Sequence, residues 1–356
     1  MVANNDKTKK VAIVAHGAGN GGAGRASSIL ANQLSRQGYQ VMYIAFLYTQ
    51  VDYDVDSRIQ YVKLDKKHKK NSFVLLEKNV KICKSIMNFQ PDVVISFMAN
   101  MMLFTSICTN LPIIYSLRND PNMTSNSFRG RTLRNFLYKR AKNIVFQTPG
   151  ARDYFSDAIK RKGVVIGNPL TYGLPYWKDY VHEKVVVTAC RLDKQKNIPM
   201  LLMGFSEFVA IHPEYRLKIC GDGPLKESLI QKSKELKIDD KVDFLGFCDN
   251  VSGIMVASSI FALTSDFEGL SNSMLEALAI GIPTVCTDCT PGGAALYINN
   301  GENGILVPVG DSKSLCQAFC RLAENDRMCL QMSTEAVKIR ELLSAEKITE
   351  EWKRLI

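Results

Sequence analysis

The chain has 356 residues, 46% hydrophobic and 22% charged, with a formal net charge of +10. That length suggests two domains, and the composition is globular with ample material for cores. No run approaches the roughly 18–20 apolar residues that span a bilayer, so a membrane-spanning protein is not expected.

The polar start, Met1 to Lys10, has no apolar stretch of the secretory kind. Residues 1–180 hold 26 Lys+Arg against 11 Asp+Glu, a net of +15; the remainder holds 19 and 24, a net of −5. This asymmetry turns the N-terminal half toward an anionic surface, nucleic acid or anionic lipid. Nucleic acid is the weaker fit, because no aromatic stacking motif or reading helix accompanies the charge. Ten cysteines are scattered without a framework, several in strand-like runs (Cys190, Cys220, Cys286), which reads as reduced thiols serving as small core residues. Cys286-Thr-Asp-Cys289 is a lone CxxC with no second pair or nearby histidine, so no metal is expected. Asp52-Tyr-Asp54-Val-Asp56 lacks the Gly and Glu that complete a calcium loop and reads as solvated.

Taken in order, strands are predicted at 10–16, 39–46, 59–64, 92–97, 112–117, 143–148 and 163–167. Helices are predicted between them at 22–37, 72–89, 99–109, 129–142 and 149–160. Asn168-Pro-Leu-Thr-Tyr-Gly-Leu-Pro175 then breaks regular structure. The second series has strands at 184–190, 215–220, 241–245, 260–264, 282–287 and 304–307. Its helices are predicted at 198–211, 224–237, 249–257, 272–280, 292–299 and 311–325, and the tail from about 328 reads as helix. Strands alternating with helices mean parallel sheets covered on both faces. The expected fold class is α/β, with two Rossmann-like domains facing across a cleft. Residues 1–170 form the first domain and 171–340 the second, with a C-terminal helix over 341–356 packing back on the first.

The loop after the first strand, His16-Gly-Ala-Gly-Asn-Gly-Gly22-Ala-Gly-Arg25, lets backbone approach a ligand, or is simply a tight turn. No acidic residue closes the second strand, which ends Ala45-Phe-Leu47, so a nicotinamide dinucleotide is not expected. In the second half, chemistry gathers after successive strands. Arg191-Leu-Asp-Lys-Gln-Lys196 offers a bidentate and a point positive charge suited to phosphate, or a solvated basic loop. Gly221-Asp-Gly-Pro224 turns into a helix, and Phe244-Leu-Gly-Phe247 ends the next strand. Ser265, Asp266 and Glu268 follow the fourth. Ser271 is a candidate N-cap, with Met274, Leu275 and Leu278 on an apolar face. Glu268 then falls in the loop and Glu276 a turn into the helix, where both can serve one pocket at a helix mouth that favours anions. Glutamates also gather at helix starts for the dipole alone. Four strand ends carrying phosphate binders, glycine turns and carboxylates at one rim form a much more specific pattern.

These residues, with Pro291-Gly-Gly293 and Asn303-Gly-Ile-Leu-Val-Pro308, resemble the retaining family-4 glycosyltransferases of the GT-B fold. The likeness is strong over 184–325 and general in the first half. It implies that Arg191 and Lys196 hold a donor diphosphate, that Glu268 contacts the transferred sugar, and that Glu276 binds the ribose. Backbone near Phe247 would hold the base, and the backbone N–H groups of Ser273 and Met274 the phosphates; Asn272, Gly22 and Gly221 belong to the same donor set. Glu268, Arg191 and Lys196 are the catalytic candidates.

Many relatives have a histidine after the fifth strand of the first half. Here that segment reads Ser116-Leu-Arg118-Asn-Asp120-Pro121, leaving Arg118 and Asp120, with His16, as candidates on the acceptor side. Asn-Asp-Pro also reads as a turn. The resemblance implies transfer of a hexose or N-acetylhexosamine from a UDP-sugar to a glycan, polyprenyl-diphosphate-linked, in capsule or exopolysaccharide synthesis. It needs no cofactor beyond the donor, and places the chain in the cytoplasm on the inner face of the plasma membrane. A nucleotide-sugar epimerase of the same fold and a non-catalytic nucleotide-sugar binding subunit are the alternatives. For the anionic membrane surface, the candidate segments are a helix over 128–140 and Lys66, Lys67, Lys69 and Lys70. That helix places Leu133, Phe136 and Leu137 on one face, with Arg131, Arg134, Lys139 and Arg140 around it.

Overall fold

A computed structural model describes residues 9–18, 21–46, 54–64, 72–123 and 127–356. The chain divides into two compact units, one of Met1–Pro169 with Ser344–Ile356, the other of Leu170–Leu343.

Unit 1 runs β1 (Lys10–Ala15), α1 (Gly22–Arg36), β2 (Gln40–Ala45), β3 (Gln60–Lys63), α2 (Ser72–Phe89), β4 (Val93–Ser96), α3 (Leu103–Cys108), β5 (Ile113–Leu117), α4 (Phe128–Arg140), β6 (Asn143–Phe146), α5 (Pro149–Asp153), α6 (Asp157–Lys160) and β7 (Gly163–Val165). The seven strands form one parallel sheet in the order β3-β2-β1-β4-β5-β6-β7. Its central strands are continuous apolar runs such as Val11-Ala-Ile-Val14, fully buried because helices cover both faces.

Unit 2 runs β8 (Glu183–Ala189), α7 (Ile198–Ile211), β9 (Arg216–Cys220), α8 (Lys226–Glu235), β10 (Val242–Gly246), α9 (Val251–Ala257), β11 (Ser258–Leu263), α10 (Asn272–Ile280), β12 (Thr284–Thr287), β13 (Ile305–Val307), α11 (Ser312–Ala323), α12 (Asp326–Ala336) and α13 (Ile339–Leu342). Its parallel sheet has the order β10-β9-β8-β11-β12-β13. In each sheet the order reverses once, between β1 and β4 and between β8 and β11. Such a switch point opens a crevice at the carboxyl ends of the strands, where ligands bind in doubly wound folds. The segment returning to unit 1 carries α14 (Ala345–Lys353). Its Trp352, 1% exposed, stacks on Phe97 at the end of β4.

Three predicted elements differ. Residues 292–299 form turns instead of a helix, because Gly292 takes a positive φ of 85° and Gly293 lies against the Gly269 carbonyl. The helix over 149–160 is split into α5 and α6. The tail is broken into α12, α13 and α14, the last of them set off by Ser344, which caps it by accepting from Lys347 N.

Helix α4 spans the expected residues, but its Leu137 and Arg134 face inward. The Arg134 guanidinium donates to Pro121 O and stacks on Phe155 at 4.8 Å, so it is not part of a surface charge cluster. Leu133 packs partly against the core. Exposed on α4 are Phe128, Arg129, Arg131, Phe136, Lys139 and Arg140. Lys66, Lys67, Lys69 and Lys70, and Asp52, lie outside the described residues. Asp56 is held by Arg58 at 2.7 Å. Among the described residues no helix is long and apolar enough to cross a membrane, and no cluster of His, Cys, Asp and Glu could hold a metal.

Candidate functional site

The switch point of unit 2 is flanked by the loops after β8 and β11. Residues Lys194–Lys196 make one 3₁₀ turn, and Asn197 closes it in the left-handed region with φ 42°. There its side chain accepts from Met200 N to cap α7 and donates to Asp266 Oδ1 at 2.6 Å. The Asp266 amide in turn donates to Gln195 O at 2.8 Å. The two loops are thus tied together by backbone and side chain before any ligand is considered.

Within this frame Lys196 and Glu268 form an ion pair through Oε2. Their side chains are only 13% and 17% exposed. Burial pulls the Lys196 pKa down, but the Glu268 carboxylate beside it more than reverses this and holds it above the ordinary lysine value. Gln195 Nε2 and Ser265 Oγ donate to the same Oε2 at 3.3 and 3.4 Å. Three donors therefore fix one oxygen of Glu268, while Oε1 has no hydrogen-bond partner among the described residues. An anchored carboxylate with one open oxygen is preorganised to accept a hydroxyl.

The Glu268 loop is positioned from β12. Glu268 N donates to Thr290 O at 2.9 Å, and Thr287 Oγ1 donates to Ser265 O at 2.6 Å. A Cβ on Gly293 would lie 1.9 Å from Gly269 O, so Pro291-Gly-Gly293 serves close packing against that loop. Gly221 is similar: a Cβ there would sit 1.8 Å from Cys190 O, at φ 142°. Its amide donates to Gly246 O at 2.7 Å. Gly221 therefore seats β9 against its neighbours, a packing role the sequence did not assign to it. Phe247, just past β10, is 58% exposed.

Ser271 caps α10 as expected, accepting from Met274 N at 3.4 Å. That bond occupies the Met274 amide, leaving the Ser273 amide without a hydrogen-bond partner among the described residues at the positive end of the helix. Asn272 opens the helix and is half-buried. Glu276, one turn in, is buried and accepts from Thr171 Oγ1 at 3.0 Å. Arg191 follows β8 with its side chain 73% exposed, and its nearest carboxylate is Asp193 at 3.8 Å. Arg191, Lys196, Glu268, Asn272, Ser273 and Glu276 thus share the strand-end rim of unit 2. Sequence reasoning gave no role to Gln195 and Thr171. Gln195 lies inside a quoted motif but reads as a spacer, and Thr171 is more than a hundred residues from its partner.

The remaining candidates lie in unit 1. His16 follows β1, exposed and edge-on to Phe46 at 6.4 Å. Gly22 opens α1 and is exposed, behind Gly21 at φ 122°. Asp120 is buried in a turn, where its carboxylate accepts from Asn122 N at 2.8 Å. That is the turn reading of Asn-Asp-Pro. Arg118, the residue after β5, donates to Asn168 Oδ1 at 2.6 Å.

Residues 177–339 match the family model described as "Glycosyl transferases group 1". An uncharacterized glycosyltransferase of Haemophilus influenzae is 31% identical over 345 residues, 94% of this chain and 96% of that one. A Campylobacter jejuni enzyme is 27% identical over 350 residues, 90% and 92% of the two chains. It is named N-acetylgalactosamine-N,N'-diacetylbacillosaminyl-diphospho-undecaprenol 4-alpha-N-acetylgalactosaminyltransferase. Among solved structures, sucrose-phosphate synthase of Thermosynechococcus elongatus superposes with TM-score 0.82 at 16% identity, covering 98% of both chains. A glycosyltransferase of Rickettsia africae does so with TM-score 0.80 at 17% identity and the same coverage.

Proposed function

The chain belongs to the group 1 glycosyltransferases, with the GT-B fold, and on that premise we propose that it moves a hexose or N-acetylhexosamine from a UDP-sugar to a lipid-linked glycan with retention at the anomeric carbon. The observation that carries this reading is the Lys196–Glu268 pair beside the mouth of α10. Arg191, Lys196 and the Ser273 amide are positive groups suited to a diphosphate whose charge grows as it leaves. The open Oε1 of Glu268 would accept a sugar hydroxyl, and the buried carboxylate of Glu276 a ribose hydroxyl. The acceptor oxygen would attack the anomeric carbon as the bond to the diphosphate breaks, and its proton would pass to the departing phosphate oxygen on the same face. No cofactor or metal enters this scheme.

Lipid linkage is supported by the name of the Campylobacter jejuni relative, a transferase acting on an undecaprenol-diphosphate-linked glycan. The exposed cations and aromatics of α4 are the pattern of a surface that meets anionic lipid. A panel of UDP-, GDP- and ADP-sugars, scored by nucleotide release with membrane lipid extract as acceptor, tests the proposal. Acceptor-dependent UDP release with a glycosylated lipid product is the expected result. UDP release without such a product would favour an epimerase, and binding without turnover a non-catalytic subunit.

A further inference from the structure

The carboxyl edge of the unit 1 sheet carries a second polar constellation. Phe97, Arg118 and Gln147 immediately follow β4, β5 and β6, three adjacent strands, and Asn168 follows β7. Asn168 Oδ1 accepts from Arg118 Nη1 at 2.6 Å and from Gln147 Nε2 at 2.8 Å. Asn168 and Gln147 are 1% and 3% exposed. The guanidinium is flanked by Phe97 at 5.0 Å and Trp352 at 5.7 Å.

Arg118 Nε is sealed from solvent without a hydrogen-bond partner, whereas Gln147 spends its donor on Asn168 and so steadies the residue that holds Arg118. No carboxylate among the described residues pairs with Arg118. Burial lowers its pKa to about 9 with no neighbouring charge to oppose the shift. Arg118 is half-buried with its Nε sealed, and a partly desolvated cation without a counter-ion is costly to keep idle. The aromatic rings lie over the guanidinium and Asn168 takes Nη1, which leaves the Nε–Nη2 edge, the one that grips an oxyanion bidentately.

We propose that Arg118, held in place by Asn168 and through it by Gln147, forms an oxyanion site in unit 1 that takes a carboxylate or phosphate group of the acceptor. Naming the acceptor as the source rests on the transferase reading, whereas the anion site itself does not. A uronic acid carboxylate and a lipid-bearing diphosphate present the same chemistry to this edge.

The test is anion binding by the whole chain, read by the fluorescence of Trp352, one of only two tryptophans. The probes are methyl glucuronide and inorganic pyrophosphate, with methyl glucoside as the neutral control. Saturable change with an anionic probe and none with methyl glucoside is expected, absent in Trp352→Phe. Response to glucuronide alone points to an acid sugar, and response to pyrophosphate alone to the lipid diphosphate. Arg118→Lys keeps the charge but loses the fork and should weaken binding about tenfold or more. Gln147→Glu places a carboxylate beside Arg118; it should raise the unfolding midpoint and abolish anion binding together. This second variant keeps the test decisive if Arg118→Lys folds poorly. No anion-dependent signal in the wild type, or anion affinity unchanged in Gln147→Glu, overturns the proposal. Neither result touches the transferase reading, which nucleotide release measures separately.

Discussion

Replacing Glu268 with Gln removes one charge from the centre of the unit 2 site while keeping its shape. Deleting one partner of a fully buried ion pair costs about 3–5 kcal/mol. Here the amide oxygen still accepts from Lys196, and the residual exposure of both side chains screens the ammonium. The expected loss is then about 2 kcal/mol, a fall in unfolding midpoint of about 4–8 °C for a unit of this size.

The loss has a pH signature. In the wild type Lys196 sits above its ordinary value of 10.5, so the pair's stabilisation is full below that pH and fades only as pH rises through the higher folded value. In the variant burial acts alone and the folded pKa drops below the unfolded one. The penalty is then full below the depressed value and relieved as pH climbs toward that of the unfolded chain. The midpoint gap between the two proteins should therefore narrow between pH 7 and about pH 10. Loss of a charge-assisted bond from Oε1 to a sugar hydroxyl, about 1.5–3 kcal/mol, should lower kcat/KM by about 10- to 150-fold. UDP alone should bind more tightly, because Lys196 is released from its counter-ion. Thermal scans at several pH values, nucleotide-release kinetics and UDP calorimetry measure these effects. An unchanged kcat/KM in a folded variant, or a gap that does not move with pH, refutes the reasoning.

Arg191→Ala should leave the unfolding midpoint within about 1 °C, since an exposed arginine at 3.8 Å from Asp193 contributes little to folding, yet lower the transfer rate at saturating donor. Glu276→Gln should weaken UDP-sugar binding by ~1.5–3 kcal/mol with a smaller effect on turnover, and Thr171→Val should follow it in direction at a lesser size, both read by calorimetry. Gly293→Ala forces a Cβ to 1.9 Å from Gly269 O and should lower the midpoint by more than any side-chain truncation at the site, as a thermal scan would show. Replacing Arg129, Arg131, Lys139 and Arg140 together with Glu should abolish co-sedimentation with anionic liposomes at low salt; binding that survives would remove α4 as the lipid contact.

Seven strands and then six were legible because the central strands of both parallel sheets are buried apolar runs between turns, while β3, β9 and β10 carry polar or charged residues and were placed by the turns around them. The Ser271 cap and the positions of Glu268 and Glu276 around it followed from local chemistry alone. What the sequence concealed depends on distance along the chain. Arg134 reads as one more surface cation until the fold brings Phe155 and Pro121 around it. Gln195 and Thr171 acquire roles only through partners 73 and 105 residues away. Gly292 and Gly293 fall in a stretch whose apolar spacing suggests a helix, and only the approach of Gly269 shows why a turn is required. The Arg118, Gln147 and Asn168 cluster likewise exists only once β5, β6 and β7 lie side by side.

The return of Ser344–Ile356 to unit 1 has a consequence for biosynthesis. Unit 2 is contiguous, so every residue it needs has been made once Leu343 is added. Unit 1 must wait, after Pro169, for the whole of unit 2 to be translated before Trp352 arrives to cover Phe97. At about 5–20 residues per second the interval is roughly 9–37 s. Throughout it the nascent N-terminal unit lacks the ring that covers Phe97 and flanks Arg118 in the finished chain.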